Sequence, residues 1–265
     1  MSIFDKIRTS DLDDYLKRCA NYRPDLNIPI IKNSVLQSLK NLQSTEIGNQ
    51  CEKQWYKSIQ AGTPDFTVYD SDFFIGDLWT CWTLFSRKYL ISLIRSKLTN
   101  STACIRDEIA PYIKTAVDLG CGFGYSTAGL KELFPSADIY GTNLEGGCQW
   151  KIASEIAAEN NFTIVNSIQK IGMPIDLIFA SEYFEHIERS LEHLEEIISL
   201  RPKFLIFANT FRKPAVGHFP KYLYRDETIP GDQMGRRFSR LLRNADYTAV
   251  KTGFWNNRPQ VWKLI

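Results

Sequence analysis

Two carboxylates and two histidines in the second half of the chain are the residues best suited to proton transfer. In the string SEYFEHI, Glu182, Glu185 and His186 are spaced so that a helical turn would place them on one face. His218 lies beyond the next predicted strand, in a loop that could return to the same edge of a sheet. A positioned carboxylate or imidazole can take a proton from a reacting hydroxyl or amine. These four residues are therefore the candidate catalytic group.

A glycine-rich turn upstream is the second feature with chemical meaning. The string AVDLGCGFGY at 116–125 runs from an apolar stretch through Asp118 into three glycines at alternate positions. The residues that follow, STAGLKELFP, have helical spacing and stop at Pro135. A strand, a glycine turn and a helix bring backbone N–H groups and a helix N-terminus against a bound nucleotide or cofactor.

The full string VDLGCGFG is more specific than a glycine-rich turn alone. Its GxGxG spacing differs from the dinucleotide fingerprint GxGxxG, which would need a glycine at Tyr125. It resembles the first motif of the class I S-adenosylmethionine-dependent methyltransferases, in which an acid at a strand end precedes GxGxG. An ordinary strand-to-helix turn is the alternative. The resemblance covers about residues 112–265 and implies S-adenosyl-L-methionine as cofactor, with Asp118 in contact with its amino group.

The resemblance also implies a set of cofactor-binding residues at the strand ends. They are Asp118, Gly120, Cys121, Gly122, Gly124, Asn143, Leu144, Ser167 and Ser181. The glycines let the backbone approach the methionine moiety and the ribose. After the third strand, Asn166 and Ser167 replace the acid that often meets the adenine amino group.

The second strand departs from the family pattern. It ends in IYGTNLEGG, where the family usually has an acid that binds both ribose hydroxyls, but this chain has Asn143. An amide accepts a hydrogen bond through its carbonyl without the charge that strengthens such a bond. We expect Asn143 to hold the ribose, with Leu144 packing on the adenine; Glu145 is the alternative. Because Asn143 replaces the family's acid, a protein that binds the cofactor but does not catalyse methyl transfer is a further alternative.

The fourth strand resembles the family segment that passes beneath the sulfonium, so Ser181 and Glu182 are expected beside the transferring methyl. ExxEH with a later histidine resembles the magnesium site of small-RNA 2′-O-methyltransferases. This implies that Glu182, Glu185, His186 and His218 hold Mg²⁺, which would lower the pKa of an acceptor hydroxyl. A metal-free general base, His186 or His218, and a turn whose histidine only packs or caps are the alternatives. SEYF differs from the (D/N/S)PP(Y/F/W) motif of amino-methylating DNA enzymes, and no Pro-Cys pair follows the strand, so two DNA-methylating classes are not favoured.

Downstream of the glycine turn, strand and helix patterns alternate. Strands are expected at 137–142, 162–165, 175–180 and 204–208, and helices at 147–159, 190–200 and 232–244. Two closing strands, 247–254 and 258–264, are separated by Asn256-Asn257 and must be antiparallel to each other. This alternation predicts an α/β fold with a doubly wound, mostly parallel, seven-stranded Rossmann-like sheet.

The N-terminal part is predicted as a helical cap. Residues 1–110 would form this substrate region, with helices at about 33–42, 49–60 and 77–97, and residues 111–265 the methyltransferase domain. An aromatic block begins at Phe66. Either it packs against the sheet, or Tyr69, Phe73, Phe74 and Trp79 form a roof over the cofactor and acceptor pocket.

Charge and cysteine usage bear on partners and location. The net charge of +2 does not by itself indicate a polyanionic partner, but 201–251 has eleven Lys/Arg against four Asp/Glu. The arginines of 232–244 form either a solvated face or, with neighbouring cations, a phosphate-binding face: Arg236, Arg240, Arg243, Lys213, Lys221 and Arg225. Scattered cysteines, and an N-terminus unlike a signal peptide, predict reduced thiols and a cytoplasmic location. The longest apolar run, about 73–94, is broken by Asp77, Arg87 and Lys88, so no transmembrane segment is expected.

Together these features predict a methyltransferase that moves a methyl group to an O or N atom of a small-molecule acceptor held under the helical cap. The first alternative is a nucleic-acid methyltransferase that uses the basic C-terminal region, with or without a divalent metal. The second is a non-catalytic scaffold that binds S-adenosylmethionine. Acceptor identity and oligomeric state are left open by the sequence.

Overall fold

The computed structural model describes residues 7–41, 43–99, 102–254 and 259–265, without the side chain of Phe73. Its helices are α1 (Thr9–Tyr22), α2 (Ile28–Asn41), α3 (Glu46–Gln60), α4 (Asp72–Ile75), α5 (Leu78–Ile94), α6 (Ile105–Ile109), α7 (Tyr125–Leu133), α8 (Cys148–Asn160), α9 (Ser190–Ser199) and α10 (Gly231–Asn244). Its strands are β1 (Thr115–Leu119), β2 (Asp138–Thr142), β3 (Thr163–Val165), β4 (Leu177–Ser181), β5 (Phe204–Ala208), β6 (Lys221–Tyr224), β7 (Glu227–Pro230), β8 (Tyr247–Val250) and β9 (Gln260–Leu264).

The central sheet has seven strands in the order β3-β2-β1-β4-β5-β9-β8. Strands β1 to β5 are parallel, whereas β9 is antiparallel to both β5 and β8. All five residues of β1 and of β5 are buried, as expected for parallel strands covered on both faces. The predicted fold class is therefore confirmed. Since the strand order reverses between β1 and β4, a ligand crevice is expected at their carboxyl ends.

A second, two-stranded antiparallel sheet was not predicted from the sequence. Strands β6 and β7 pair with each other where a loop had been expected. Each strand has only four residues, which is too short for clear alternation, and the turn between them holds Arg225 in the left-handed region at φ +52°. Tyr222 and Ile229 bury the inner face of this hairpin.

Several predicted boundaries were wrong. Helix α2 begins at Ile28 and α3 at Glu46, both earlier than predicted, and β8 ends at Val250 rather than at 254. The predicted turn at Asn256-Asn257 lies outside the described residues. In the part of the chain that the structure describes, no helix is both long and apolar enough to cross a membrane.

One apolar core extends from the N-terminal helices into the sheet. It includes Leu12 of α1, Leu90 of α5, Ala128 of α7 and Phe179 of β4. Helix α5 packs along α7, the helix that follows the glycine turn. The N-terminal helices thus share buried surface with the element that carries the cofactor motif. The division at residue 110 stays a prediction.

Replacing Leu90, which is 0% exposed, tests how far this core is shared. We expect Leu90→Ala to lower the free energy of unfolding by about 2–5 kcal/mol, because it removes buried methyl groups and leaves a cavity. Urea unfolding followed by circular dichroism and by tryptophan fluorescence should give one coincident transition. The matched control is Leu36→Ala, at a position 42% exposed in α2, which should change stability by less than about 0.5 kcal/mol. Two separate transitions would show that the N-terminal helices unfold independently.

Candidate functional site

A cavity of about 970 Å³ lies at the carboxyl ends of the central strands. Asp118 of β1, Thr142 of β2 and Ser181 of β4 all line it. The opposite wall comes from the N-terminal region, whose aromatic lining residues are Phe66, Tyr69, Phe74, Trp79, Trp82 and Tyr89. Three of the four residues considered as a roof thus line the cavity, and the side chain of Phe73 lies outside the described part.

The glycine turn between β1 and α7 adopts a backbone that needs glycine. Gly120, Gly122 and Gly124 have φ of +66°, +54° and +87°, all in the left-handed region. At Gly120 a Cβ would come within 2.3 Å of the Tyr183 ring, so that ring packs directly on the turn. Gly120, Cys121 and Gly122 line the cavity, whereas Gly124 begins α7 as its N-cap and is not among the described lining residues.

The Asp118 carboxyl is buried at the junction of β1 and α7. Its Oδ2 accepts hydrogen bonds from Ser126 Oγ at 2.6 Å and from Thr127 Oγ1 at 2.7 Å. Burial raises the pKa of Asp118 to about 7, and the two hydroxyl donors only partly offset that effect. No basic side chain is hydrogen-bonded to this carboxyl among the described residues. The site therefore holds an acid whose charged form lacks a cationic partner.

The segment after β2 is ordered by its own side chains. Asn143 Nδ2 donates to the Gly122 carbonyl at 2.6 Å, and its Oδ1 accepts from the Leu144 amide at 2.8 Å. Glu145 Oε2 accepts from Asn166 Nδ2 at 2.6 Å. These four residues after the strand ends, Asn143, Leu144, Glu145 and Asn166, all line the cavity, and Leu144 is 64% exposed.

Ser167 is placed differently from the other predicted cofactor residues. Its hydroxyl accepts from the Gln169 amide and caps the short 3-10 turn 168–170. Ser167 is not among the described residues that line the cavity. The structure therefore gives it a capping role next to Asn166, which does line the cavity.

Ser181 and Glu182 stand where β4 meets the cavity. Ser181 Oγ is buried and has no hydrogen-bond partner among the described residues. Glu182 has φ +52°, an uncommon conformation for a residue with a side chain and one that often marks functional sites. Its amide donates to the Ala208 carbonyl at 2.7 Å, and Thr210 Oγ1 donates to its carboxylate at 3.1 Å.

Glu185 and His218 lie behind Glu182, away from the cavity lining of the described residues. One ligand atom of each of these three residues lies within 4.8 Å of the other two. Burial, and then the charge of Glu182, raises the pKa of Glu185 well above its usual range. His218 donates from Nδ1 to the Lys213 carbonyl at 2.9 Å, and burial lowers its pKa to about 4. Its Nε2 is buried without a partner among the described residues.

His186 is not a member of that group of ligand atoms, although it lies beside His218, and it lines the cavity. The Tyr69 hydroxyl lies 2.7 Å from its Nδ1, and the His186 and His218 rings are perpendicular with centroids 4.7 Å apart. Burial, and then the charge of His218, lowers the pKa of His186 well below its usual value. The sequence predicted the four residues as one group. In the structure Glu182 and His186 line the cavity, whereas Glu185 and His218 are buried outside the described lining.

The 3-10 segment Phe66–Asp70 connects the two sides of the cavity. Asp70 Oδ1 accepts a hydrogen bond from the Cys148 amide at 2.5 Å, and Gln149 Nε2 donates one to the Tyr69 carbonyl at 3.2 Å. These contacts attach the segment to the start of α8, just after the predicted ribose-binding residues. Sequence reasoning missed Asp70 and Gln149 because both act on backbone groups, for which no motif exists.

The cations of the basic region 201–251 are not among the described residues that line this cavity. Among the described residues that line the cavity, none is Lys or Arg, whereas Asp70, Glu145 and Glu188 are acidic. Helix α10 packs against α9, β6, β7 and β8, and none of its described residues lines the cavity. Arg237 of α10 pairs with Glu227 at 3.0 Å, and Arg243 lies over the Trp262 ring.

No protein-family model matches the sequence, and no curated protein matches it. Several solved structures resemble the fold. An O-methyltransferase family protein from Burkholderia thailandensis is 9% identical, with a TM-score of 0.48 and coverage of 94% of this chain and 70% of that one. Mitomycin 7-O-methyltransferase is 12% identical, with a TM-score of 0.47 and coverage of 83% and 68%.

An O-methyltransferase from a trans-AT PKS multienzyme of Brevibacillus brevis, in complex with S-adenosyl-L-homocysteine, is 15% identical with a TM-score of 0.41. That match covers 62% of this chain and 52% of the other, so this chain spans about half its length. At these identities the similarity concerns the fold.

The Asp118 environment predicts how the stability of the ligand-free protein depends on pH. The pKa of Asp118 in the folded protein, about 7, is above its value in the unfolded chain. The neutral carboxyl therefore contributes its full stabilisation of the folded state below about pH 4, and this contribution is lost as the pH rises through 7. The loss is on the order of 4 kcal/mol between those limits. We expect Asp118→Asn to be more stable than the parent at pH 8 and about equal at pH 4, as measured by urea unfolding. The control, Asp226→Asn in an exposed turn, should match the parent at both pH values. Equal pH dependence of Asp118→Asn and the parent would contradict this account.

Proposed function

We propose that this chain is an S-adenosylmethionine-dependent methyltransferase that acts on an O or N atom of a small-molecule acceptor. One observation carries the proposal. The glycine turn, the Asp118 carboxyl and the end of β4 open into a single cavity whose other wall is aromatic. The likeness of the AVDLGCGFGY motif to class I methyltransferases supports S-adenosylmethionine as the cofactor, and the aromatic wall supports an acceptor bound on that side of the cavity.

The residues at the strand ends fit the cofactor. Asp118 is a buried carboxyl without a cationic partner among its described contacts, so a ligand ammonium would supply the missing charge. Asn143 has one carbonyl lone pair left for a ribose hydroxyl, and we propose that Glu145 takes the second hydroxyl. Leu144, exposed at the cavity edge, would pack on the adenine. The bound cofactor supplies an electrophilic methyl group on a sulfonium.

The size and lining of the cavity favour a small acceptor over a nucleic acid. Pockets for drug-sized ligands occupy about 300–1,000 Å³. The volume of about 970 Å³ is at the top of that range, which leaves room for a second small molecule beside the cofactor. A phosphate would find no Lys or Arg among the described lining residues, and the arginines of α10 do not reach the cavity. Rings such as Phe74 and Trp79 instead suit an acceptor with apolar or aromatic surface.

We propose that proton transfer at the acceptor uses His186 and Glu182 without a metal ion. Both residues line the cavity, whereas Glu185 and His218 lie outside the described lining. A Mg²⁺ ion held by Glu182, Glu185 and His218 is the alternative, which the spacing of their ligand atoms and the unpartnered His218 Nε2 favour. That ion would sit behind Glu182, a poor position from which to bind an acceptor hydroxyl in the cavity.

A cytoplasmic location is also proposed. All six cysteines are free thiols, and five of them are buried. Free buried thiols are typical of proteins in reducing compartments.

Binding of S-adenosyl-L-homocysteine tests the cofactor half of the proposal. We expect Asp118→Asn to weaken binding about tenfold to a hundredfold, because a hydrogen bond to a charged group contributes about 1.5–3 kcal/mol. Titration calorimetry at pH 7.5 measures this effect, with Asp226→Asn as the control that retains the parent affinity. Absence of binding to the parent protein, or equal binding to Asp118→Asn, would refute the assignment.

Transfer of label from methyl-tritiated S-adenosylmethionine tests the acceptor class. We expect label in members of a panel of hydroxylated and aminated aromatic compounds, and none in RNA or DNA at low salt. Arg236→Ala with Arg240→Ala should leave the rate unchanged, and so should a chelator. Label in RNA that is lost steeply with salt and with the arginine substitutions would favour the nucleic-acid alternative. A rate abolished by chelator and restored by Mg²⁺ would favour the metal.

A further inference from the structure

Three rings of the N-terminal wall form an aromatic corner of the cavity: Tyr69, Phe74 and Trp79. The Tyr69 and Phe74 rings are nearly perpendicular, at 81° with centroids 5.2 Å apart. The Phe74 and Trp79 rings are nearly parallel, at 11° with centroids 6.3 Å apart. Because the rings differ in orientation, a ligand group bound at this corner would meet aromatic surface on more than one side.

The aromatic corner lies next to the segment that follows β4. The Tyr69 hydroxyl is 2.7 Å from Nδ1 of His186, and the centroid of the Trp79 ring is 6.4 Å from that of His218. Strand β4 ends at Ser181, the residue expected beside the transferring methyl. The corner is therefore on the side of the cavity where the proposed acceptor would bind, and not on the side of the predicted ribose contacts after β2.

The charge of the cavity lining has one sign. Lys and Arg are absent from the described lining, whereas five of its residues carry a carboxyl group: Asp70, Asp118, Glu145, Glu182 and Glu188. A cleft lined by one sign of charge between low-dielectric walls attracts ligands of the opposite sign. The cofactor offsets only part of this charge, since its own carboxylate opposes one of its two positive groups. With the cofactor bound, the cavity would still hold more carboxyl groups than cations.

Glu188 is the lining carboxylate that is left for a ligand beside the aromatic corner. It follows His186, the residue that contacts the corner, by two positions, and its carbonyl accepts the Leu223 amide at 2.9 Å. Asp70 and Glu145 already accept hydrogen bonds from neighbouring groups. The Glu188 side chain is exposed, and its carboxylate forms no hydrogen bond or ion pair with another residue in the described part of the chain.

We propose that the acceptor carries a positively charged nitrogen, which binds at the aromatic corner with Glu188 as its counter-ion. This inference rests on the proposed methyl transfer. An aromatic face attracts a cation that lies within about 6 Å of the ring centroid, and Trp attracts it most strongly. An anionic acceptor would instead be repelled by the carboxylates of the lining. The charged nitrogen is separate from the methylated atom, because an ammonium nitrogen has no lone pair with which to attack the methyl group.

Three phenols that differ in the charge at the end of the side chain test this substrate class. N,N,N-trimethyltyramine is cationic, 4-(3,3-dimethylbutyl)phenol has carbon in place of that nitrogen, and 3-(4-hydroxyphenyl)propionate is anionic. Titration calorimetry measures their binding to the protein saturated with S-adenosyl-L-homocysteine. We expect the cation to bind about tenfold more tightly than its carbon isostere, and the anion to bind most weakly.

Two variants separate the contributions of the ring and the carboxylate. Glu188→Gln should weaken binding of the cation about threefold, because an exposed ion pair contributes little, and should leave binding of the isostere unchanged. Trp79→Leu should lower the preference for the cation over the isostere from about tenfold to about threefold. Binding of the isostere in each variant reports that the cavity is intact. The matched control is Glu108→Gln, an exposed position of α6 outside the described lining, which should retain the parent affinities.

Equal or tighter binding of the isostere or of the anion by the parent protein would overturn the proposal. So would a cation preference that both Glu188→Gln and Trp79→Leu leave unchanged, or absence of cation binding to a parent that binds S-adenosyl-L-homocysteine. Failure of the parent to bind S-adenosyl-L-homocysteine would refute the proposed function instead. The same three titrations without S-adenosyl-L-homocysteine would then still decide whether the aromatic corner prefers a cation.

Discussion

The buried carboxyl of Asp118 is the constraint on which the rest of the site depends. It is the second-last residue of the central strand β1, and its two hydrogen-bond donors, Ser126 and Thr127, belong to the first turn of α7. These contacts fix the helix start relative to the strand end, so the chain between them must turn within a few residues. Glycines with positive φ at 120, 122 and 124 make that turn possible. The buried carboxyl has no cationic partner among its described contacts, and the ammonium group of a ligand would supply that positive charge.

The second structural dependence is the attachment of the N-terminal region to both sides of the cavity. In the segment Phe66–Asp70, Asp70 bonds to the start of α8 while Tyr69, the preceding residue, bonds to His186. A displacement of one contact must therefore strain the other, because adjacent residues share a backbone of fixed dimensions. Helix α5, which packs along α7, supports this wall from behind. The N-terminal helices thus shape the site in addition to covering it.

The sequence predicted those parts of the fold in which local pattern and burial agree. The central strands are apolar runs of ordinary length that alternate with helices, so a mostly parallel seven-stranded sheet was predictable. The β6–β7 hairpin was missed because four residues are too few to show a period. The spacing of Glu182, Glu185 and His186 predicted one helical face. The short 3-10 turn 184–186 instead directs His186 to the cavity and buries Glu185. The Tyr69–His186 contact joins residues far apart in sequence, for which a single sequence holds no signal.

Charge gives the clearest case in which sequence proximity differs from spatial proximity. The basic excess of 201–251 suggested a phosphate-binding face near the acceptor. In the fold, helix α10 of that segment packs on α9 and the hairpin strands, and its arginines are absent from the described cavity lining. The described lining of the cavity is therefore made of local groups, mainly aromatic rings and carboxylates, and does not reflect the net charge of 201–251.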